Sequence, residues 1–293
     1  MALKKKRTAK SLSHGRPPTV QRPKSISRKA TRTLINSHHV LEKRKAQAIL
    51  KGDKAEEAAI EKEISALGGI KSYQQASLQG QRNDRGGDSS KVLMEWLEAA
   101  HPALKEKASA GDSLRLLEVG ALSTTNECSK SGLFSMCRID LNSQAEGILQ
   151  QDFMQRPLPQ DDEEKFDIIS LSLVVNFVPD AQGKGNMLLR TLDFLKDPDC
   201  LASTEMGDFF PSLFLVLPAP CVTNSRYMDE DRLDSIMESL GYTKTRYKLT
   251  QKLVYYLWTR KRLPIPRRKF TKTQTRTGAS RNNFAIVLRT SPG

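Results

Sequence analysis

The sequence predicts an α/β fold, a mostly parallel sheet with an antiparallel C-terminal edge, and three observations carry that reading. A short apolar stretch, Leu116-Leu117-Glu118-Val119, runs straight into Gly120, as a strand does when it empties into a tight turn. The runs Phe166 to Val175 and Ser212 to Pro218 are nearly continuous in apolar residues, which suits strands buried on both faces of a sheet. Helical patterns alternate with these strands, and two further strand patterns, Lys252 to Trp258 and Asn283 to Leu288, lie near the C-terminus.

Taken in order, residues 34–110 read as a helical N-terminal segment and residues 111–293 as the α/β domain. Within the first, Val40 to Leu50 is helical in pattern. Asp53 with Glu56 makes a capping box for a second helix, whose face is Ile60, Ile64 and Leu67 and which Gly68-Gly69 stops. Ser89-Ser90 caps a third helix carrying Val92, Leu93, Trp96 and Leu97, broken at His101-Pro102. In the second part, Cys137-Arg138-Ile139-Asp140 closes a second strand, and Gly147 to Phe153 reads as a third short one ending in an acid. Leu188, Leu192 and Leu195 share one face of a helix that Asp197-Pro198 stops. A last helix, Asp229 to Leu240, is closed by Gly241.

Gly120 with Asp140 twenty residues later outlines a nucleoside pocket at the carboxyl edge of a parallel sheet. The glycine lets backbone approach the ligand, and the aspartate accepts from both ribose hydroxyls. Dinucleotide sites need further glycines for a pyrophosphate. Here Gly120 is followed by Ala121-Leu122-Ser123-Thr124-Thr125, so the pattern suits a nucleoside without phosphates, of which S-adenosyl-L-methionine is the common one. The same two residues would also serve an ordinary α/β core in which they merely turn the chain. Asp152 is either a third anchor, accepting from the adenine amine of that nucleoside, or a solvated strand-end acid. Asn176-Phe177, after the fourth strand, stand where methyltransferases of adenine amines pair a polar group with an aromatic ring against the target base. Phe177-Val178 replace the two prolines of that pattern, and a capped strand end with Phe177 packed beneath the sheet is the plainer reading. Asn176 is nevertheless the candidate catalytic residue. The succession of elements is the class I methyltransferase (Rossmann-like) layout.

Charge is distributed very unevenly along the chain. There are 47 Lys+Arg against 33 Asp+Glu, yet residues 1–33 hold eleven basic residues and no acid, and residues 239–293 hold fourteen and again no acid. The first stretch reads as a disordered basic arm that neutralises phosphates and doubles as a nuclear import signal. The second centres on a basic hairpin around residues 259–283, beside the pocket edge, and suits grip on a structured RNA. Four cysteines (128, 137, 200, 221) form no Cys-x-x-Cys pair, and histidines 14, 38, 39 and 101 complete no zinc set, so no metal site is expected. With no apolar run of membrane-spanning length, a soluble intracellular protein with reduced thiols is expected.

Several segments together resemble one family. Tyr73-Gln74-Gln75-Ala76-Ser77 and Gly87-Asp88-Ser89-Ser90 precede a Trp-containing helix. Leu117-Glu118-Val119-Gly120-Ala121-Leu122, Arg138-Ile139-Asp140-Leu141-Asn142, Gln151-Asp152-Phe153 and Ser172-Leu173-Val174-Val175-Asn176-Phe177-Val178-Pro179 follow in order. This succession, over roughly residues 68–260, resembles the fungal large-subunit (25S) ribosomal RNA adenine-N1 methyltransferases. The resemblance implies a class I fold, S-adenosyl-L-methionine as donor, an adenine of 25S rRNA or of the pre-ribosome as substrate, and a nuclear, nucleolar location. It places the cofactor residues on Gly120 and Asp140. A metazoan branch under the same family name resembles a non-catalytic S-adenosylmethionine sensor acting through a protein partner. The acid-free ends favour the enzyme, because a polyanionic substrate is what they complement.

Overall fold

The computed structural model describes residues 28–69, 87–143, 145–198, 205–264 and 268–289. The Tyr73 to Ser77 motif, Cys200, His14 and the basic arm up to residue 27 lie outside the described residues.

The N-terminal segment is helical, as its periodicity predicts. Helix α1 (Arg28–Lys51) and helix α2 (Lys54–Ala66) form an antiparallel pair joined at Gly52, with Leu41, Ala48 and Ile60 buried between them. Asp53 accepts the Glu56 backbone N–H at 3.0 Å, the cap expected there. Arg44–Glu63 and Lys45–Glu61 pairs lace the outer faces. Because α1 begins at Arg28, the last residues assigned to the arm are helical: Arg28 to Thr33 continue the same helix that carries Leu41. Helix α3 (Ser90–Trp96), a 3-10 turn (Glu98–Ala100) and helix α4 (His101–Ser109) then lead to the sheet.

Seven strands make one sheet: β1 (Leu114–Val119), β2 (Phe134–Asp140), β3 (Leu149–Gln150), β4 (Ile168–Ser172), β5 (Ser212–Pro218), β6 (Tyr242–Leu249) and β7 (Leu253–Arg260). Their order is β3-β2-β1-β4-β5-β7-β6, with β7 antiparallel to both neighbours and the rest parallel. Helix α5 (Glu127–Lys130) connects β1 to β2, and helix α6 (Ala181–Phe194) connects β4 to β5. Helices α7 (Pro220–Thr223) and α8 (Glu230–Ser239) lie between β5 and β6. This is the class I methyltransferase sheet.

Both faces of the sheet are covered, which is why its central strands read as apolar runs rather than alternations. Along β5, Leu213, Leu215 and Leu217 face the layer of α6 and α8, while Phe214 and Val216 face Leu93, Leu97 and Leu104 of α3 and its neighbours.

Two strand expectations are corrected. The third strand shrinks to Leu149–Gln150. Asn283 to Leu288 is no strand: Val287 N–H donates to Ala181 O at 2.9 Å, and the segment lies across the start of α6. Gly185 permits this, since a Cβ there would stand 1.9 Å from the Val287 carbonyl oxygen. The second late strand is instead β6, whose register slips between Lys244 and Arg246. That bulge breaks the period-2 signal, and the lysines and arginine of an edge strand hide the rest of it. The basic region after β7 is consequently not a hairpin between two strands. It is a strap, anchored where Phe270 pairs with Leu288 and where Arg276 donates to the carbonyls of Val222, Thr223, Ser225 and Met228.

Candidate active site

The chain crosses from β3 back to β4, so the loops after β1 and β4 diverge at the carboxyl edge of the sheet, the usual ligand position in such folds. Gly120 follows β1 at φ 74°. Its N–H donates to Ile139 O at 2.8 Å, and Ala121 N–H reaches the same oxygen at 3.1 Å. Gly120 is thereby pinned beside Asp140, the end of β2. A Cβ on Gly120 would stand 2.8 Å from Val174 Cγ2, so both backbone conformation and close approach require glycine.

Asp140 is half-buried and accepts the Asn142 N–H at 2.8 Å, while its own carbonyl accepts from Gln151 at 2.9 Å. Asp152, just past β3, accepts the Met154 N–H at 2.8 Å. Its loop is fixed from α6 by Arg190, which donates to Phe153 O at 2.8 Å and also to Arg156 O. The structure thus brings Gly120, Asp140 and Asp152 together at three adjacent strand ends.

Directly after strand β4 comes Leu173 at φ 59°, the one non-glycine residue in the left-handed region among the described residues. A leucine there is strained by about 1–3 kcal/mol. Its N–H is held by Val216 O at 2.9 Å, Val174 then turns toward Gly120, and Phe177 N–H closes a turn on Val174 O at 2.9 Å. Inside this turn the Asn176 side-chain oxygen is buried and has no hydrogen-bond partner. An acceptor left so costs about 1–3 kcal/mol unless a ligand donor meets it. Phe177 sits half-buried beside it. Buried Lys184 of α6 anchors the far end of the loop, donating to Val178 O and, at 3.2 Å, to Asp180 O.

Two sets of contacts at the site go beyond what the sequence motifs assign to their residues. Glu118, one residue inside β1, accepts from the Asn126 amide at 2.8 and 2.9 Å, and burial raises its pKa above the ordinary carboxylate value. Asp88, Ser89 and Ser90 reach the same edge from the N-terminal segment; Ser89 shares a 2.8 Å hydrogen bond with Ser172 of β4. The sequence puts the cap of α3 on Ser89-Ser90, but Ser89 makes no capping bond and Asp88 instead accepts the Ser90 N–H at 2.9 Å. Asn126, which stands as N-cap before Glu127, was the one available sequence signal for the first set. Among the described residues no helix is long and apolar enough to cross a membrane, and no group of three or more His, Cys, Asp or Glu could hold a metal.

Comparison with known proteins identifies the family. A family model described as 25S rRNA (adenine(2142)-N(1))-methyltransferase, Bmt2, matches residues 58–286. A 25S rRNA adenine-N(1) methyltransferase of Schizosaccharomyces pombe is 39% identical over 254 residues, spanning 86% of this chain and 89% of its own. The 25S rRNA (adenine(2142)-N(1))-methyltransferase of Saccharomyces cerevisiae is 37% identical over 228 residues, 77% of this chain and 62% of its own length. Among solved structures, the N-methyltransferase NodS of Bradyrhizobium japonicum with S-adenosyl-L-homocysteine aligns at 12% identity and TM-score 0.33, covering 55% of this chain and 85% of its own. At that TM-score the likeness adds nothing to the fold described above. Both relatives are named as catalysts, which supports the enzyme and not the sensor. The match over most of its length places the chain in the Bmt2 family of 25S rRNA adenine-N1 methyltransferases.

Proposed function

We propose that this chain methylates N1 of an adenine in large-subunit rRNA, with S-adenosyl-L-methionine as donor and the pre-ribosome in the nucleolus as the place of action. The observation that carries the reading is the contact of the loop after β4 with the turn after β1. Val174 touches Gly120, and the unpartnered Asn176 oxygen lies two residues further on.

The residues fit the cofactor. Backbone bare of a side chain turns at Gly120, with Val174 holding the space a Cβ would take, and a half-buried carboxylate ends the next strand at Asp140. Gly120 would admit the donor against backbone, Asp140 would accept from the ribose hydroxyls, and Asp152 would accept from the adenine amine. Bound there, S-adenosyl-L-methionine supplies an electrophilic methyl group.

Adenine N1 carries an in-plane lone pair, so the protein needs no strong base to make it nucleophilic. Its work is positioning and exclusion of water. N1 lies on the Watson–Crick edge, so the base must enter unpaired. In this reading Asn176 accepts a hydrogen bond from the exocyclic amine beside N1, which both orients the ring and favours the amine's positive character as N1 is alkylated. The proton later leaves that amine to solvent. Phe177 offers an aromatic face in the same loop.

The strap supports a polyanionic substrate. Arg268, Lys269 and Lys272 are exposed on it, with Lys272 4.4 Å from the centre of the Tyr227 ring and Arg268 5.1 Å from that of Phe270. It is tied to α7, which follows β5 at the same edge as the pocket: the Asn282 side-chain amide donates to Pro220 O at 2.6 Å.

The test is methyl transfer from labelled S-adenosyl-L-methionine to total RNA from cells lacking this protein, followed by nucleoside analysis. Label in 1-methyladenosine of the large rRNA is the expected result. Label in any other nucleoside, or none despite bound donor, refutes the proposal.

A further inference from the structure

We infer that the turn Gly87 to Ser90 is a latch between the two halves of the active site, in which Asp88 sets the turn that holds the donor and Ser89 sets the loop that receives the base. The inference rests on the methyl-transfer reading above and adds two positioning residues to it.

Asp88 reaches the donor half. One oxygen accepts from Ser90 N–H at 2.9 Å and from Ser90 Oγ at 2.7 Å; the other accepts from Glu127 N–H at 2.6 Å. Ser90 Oγ in turn accepts from Cys128 N–H at 3.2 Å. Glu127 opens α5, directly after Asn126, whose amide grips Glu118 and whose oxygen accepts from Ser129 N–H at 2.9 Å. The segment leaving Gly120 is therefore fixed at one end by the Ile139 carbonyl. At its other end Asp88 and Glu118, two carboxylates from different parts of the chain, fix it.

Ser89 reaches the acceptor half. It stands at the N-cap position of α3 yet makes no capping bond; its hydroxyl goes instead to Ser172 Oγ at 2.8 Å. Ser172 is the last residue of β4, next to the strained Leu173 and just before Val174 and Asn176. A serine whose only task was to start α3 would bond within the helix. Diverting it, and leaving the cap to Asp88, joins the loop that holds Asn176 to the same four residues that hold the donor turn. Methyl transfer needs the nucleophile in line with the bond that breaks, and sub-ångström error in such spacing is costly.

The experiment compares the full-length parental chain with Ser89→Ala, Ser89→Thr and Asp88→Ala. It measures S-adenosyl-L-homocysteine affinity by calorimetry, single-turnover transfer to the methyl-deficient RNA at saturating donor, and Tm. Ser89→Ala should keep the affinity within about twofold yet slow the transfer step by about tenfold or more, and Ser89→Thr, which keeps the hydroxyl, should recover most of the rate. Asp88→Ala should weaken S-adenosyl-L-homocysteine binding by about tenfold. Parental transfer by Ser89→Ala overturns the latch. So does a loss of rate, affinity and Tm together that Ser89→Thr does not repair, because that is a structural role only. If the parental chain binds S-adenosyl-L-homocysteine but methylates no RNA, it is the functional reading that fails. The donor half of the latch then stands or falls on whether Asp88→Ala weakens binding.

Discussion

Val174 Cγ2 occupies the space, 2.8 Å away, that a side chain on Gly120 would need, so the turn after β1 and the loop after β4 are packed as one unit. At φ 74° any other residue is strained before it meets that contact. Gly120→Ala should destabilise the fold by about 1–3 kcal/mol and weaken donor binding. Adding Val174→Ala should return part of the loss, since the contact is removed while the backbone strain stays. Denaturant titration of the two single variants and the double variant measures the coupling. Strict additivity would show that the contact is not felt.

Asp140 separates folding from binding. Asp140→Asn keeps an oxygen for the Asn142 N–H and should fold as the parent does. It loses a negatively charged acceptor for two ribose hydroxyls, which should cost donor affinity about 1–3 kcal/mol. Calorimetry with S-adenosyl-L-homocysteine checks this; parental affinity would remove Asp140 from the pocket.

Asn176 gives the opposite pairing of effects. Its buried oxygen is unpartnered, so Asn176→Ala removes an unsatisfied group rather than a bond. The variant should be as stable as the parent or more so, by up to about 1 kcal/mol, while methyl transfer falls at least tenfold. A residue that only packs the loop would lose stability on truncation and leave the rate of folded enzyme intact. Tm and single-turnover rate, measured on one preparation, distinguish the two.

The parts of this fold legible in the sequence are those whose signal is local. Strand β5 matches its apolar run, Ser212–Pro218, because both its faces are buried and prolines close it. Gly120 and Asp140 stand where spacing placed them, since one strand end fixes each. What was hidden depends on distant partners. Asn283 to Leu288 has the composition of a strand, yet its hydrogen bonds go to Ala181 and Phe270 rather than to a neighbouring strand. The run Phe166 to Val175 gives no hint that the strand stops at Ser172, because Leu173 takes a conformation leucine rarely adopts. The bond between Ser89 and Ser172 joins residues 83 apart, and no pattern in either segment points to the other.

Glu118 makes stability depend on pH in a direction unusual for a carboxylate. Burial raises its pKa in the folded chain above the ordinary value of 4.5, and the Asn126 amide offsets this only in part. The folded state therefore binds the proton more tightly than the unfolded one. Its contribution is fully present below pH 4.5 and is lost as pH rises through the folded pKa. Glu118→Gln keeps an oxygen for Asn126 and removes the charge. It should be more stable than the parent at pH 7.5, with the difference shrinking as pH falls toward the carboxylate range. Urea midpoints across that range test the sign, and a gap that widens on acidification would contradict it.

The strap makes a prediction that salt alone can read. Arg268, Lys269 and Lys272 are exposed, and two of them lie over aromatic rings that hold their side chains in place. If all three meet phosphates of unpaired RNA, each releases about 0.7 counterion on binding, so neutralising them to Gln should flatten the slope of log affinity against log salt by about 2. The loss should be nearly the same for every RNA sequence, because phosphates carry no sequence information. S-adenosyl-L-homocysteine affinity should not move. An unchanged slope would assign grip on RNA to other basic residues of the chain, whereas a loss confined to one sequence would mean that the strap reads bases.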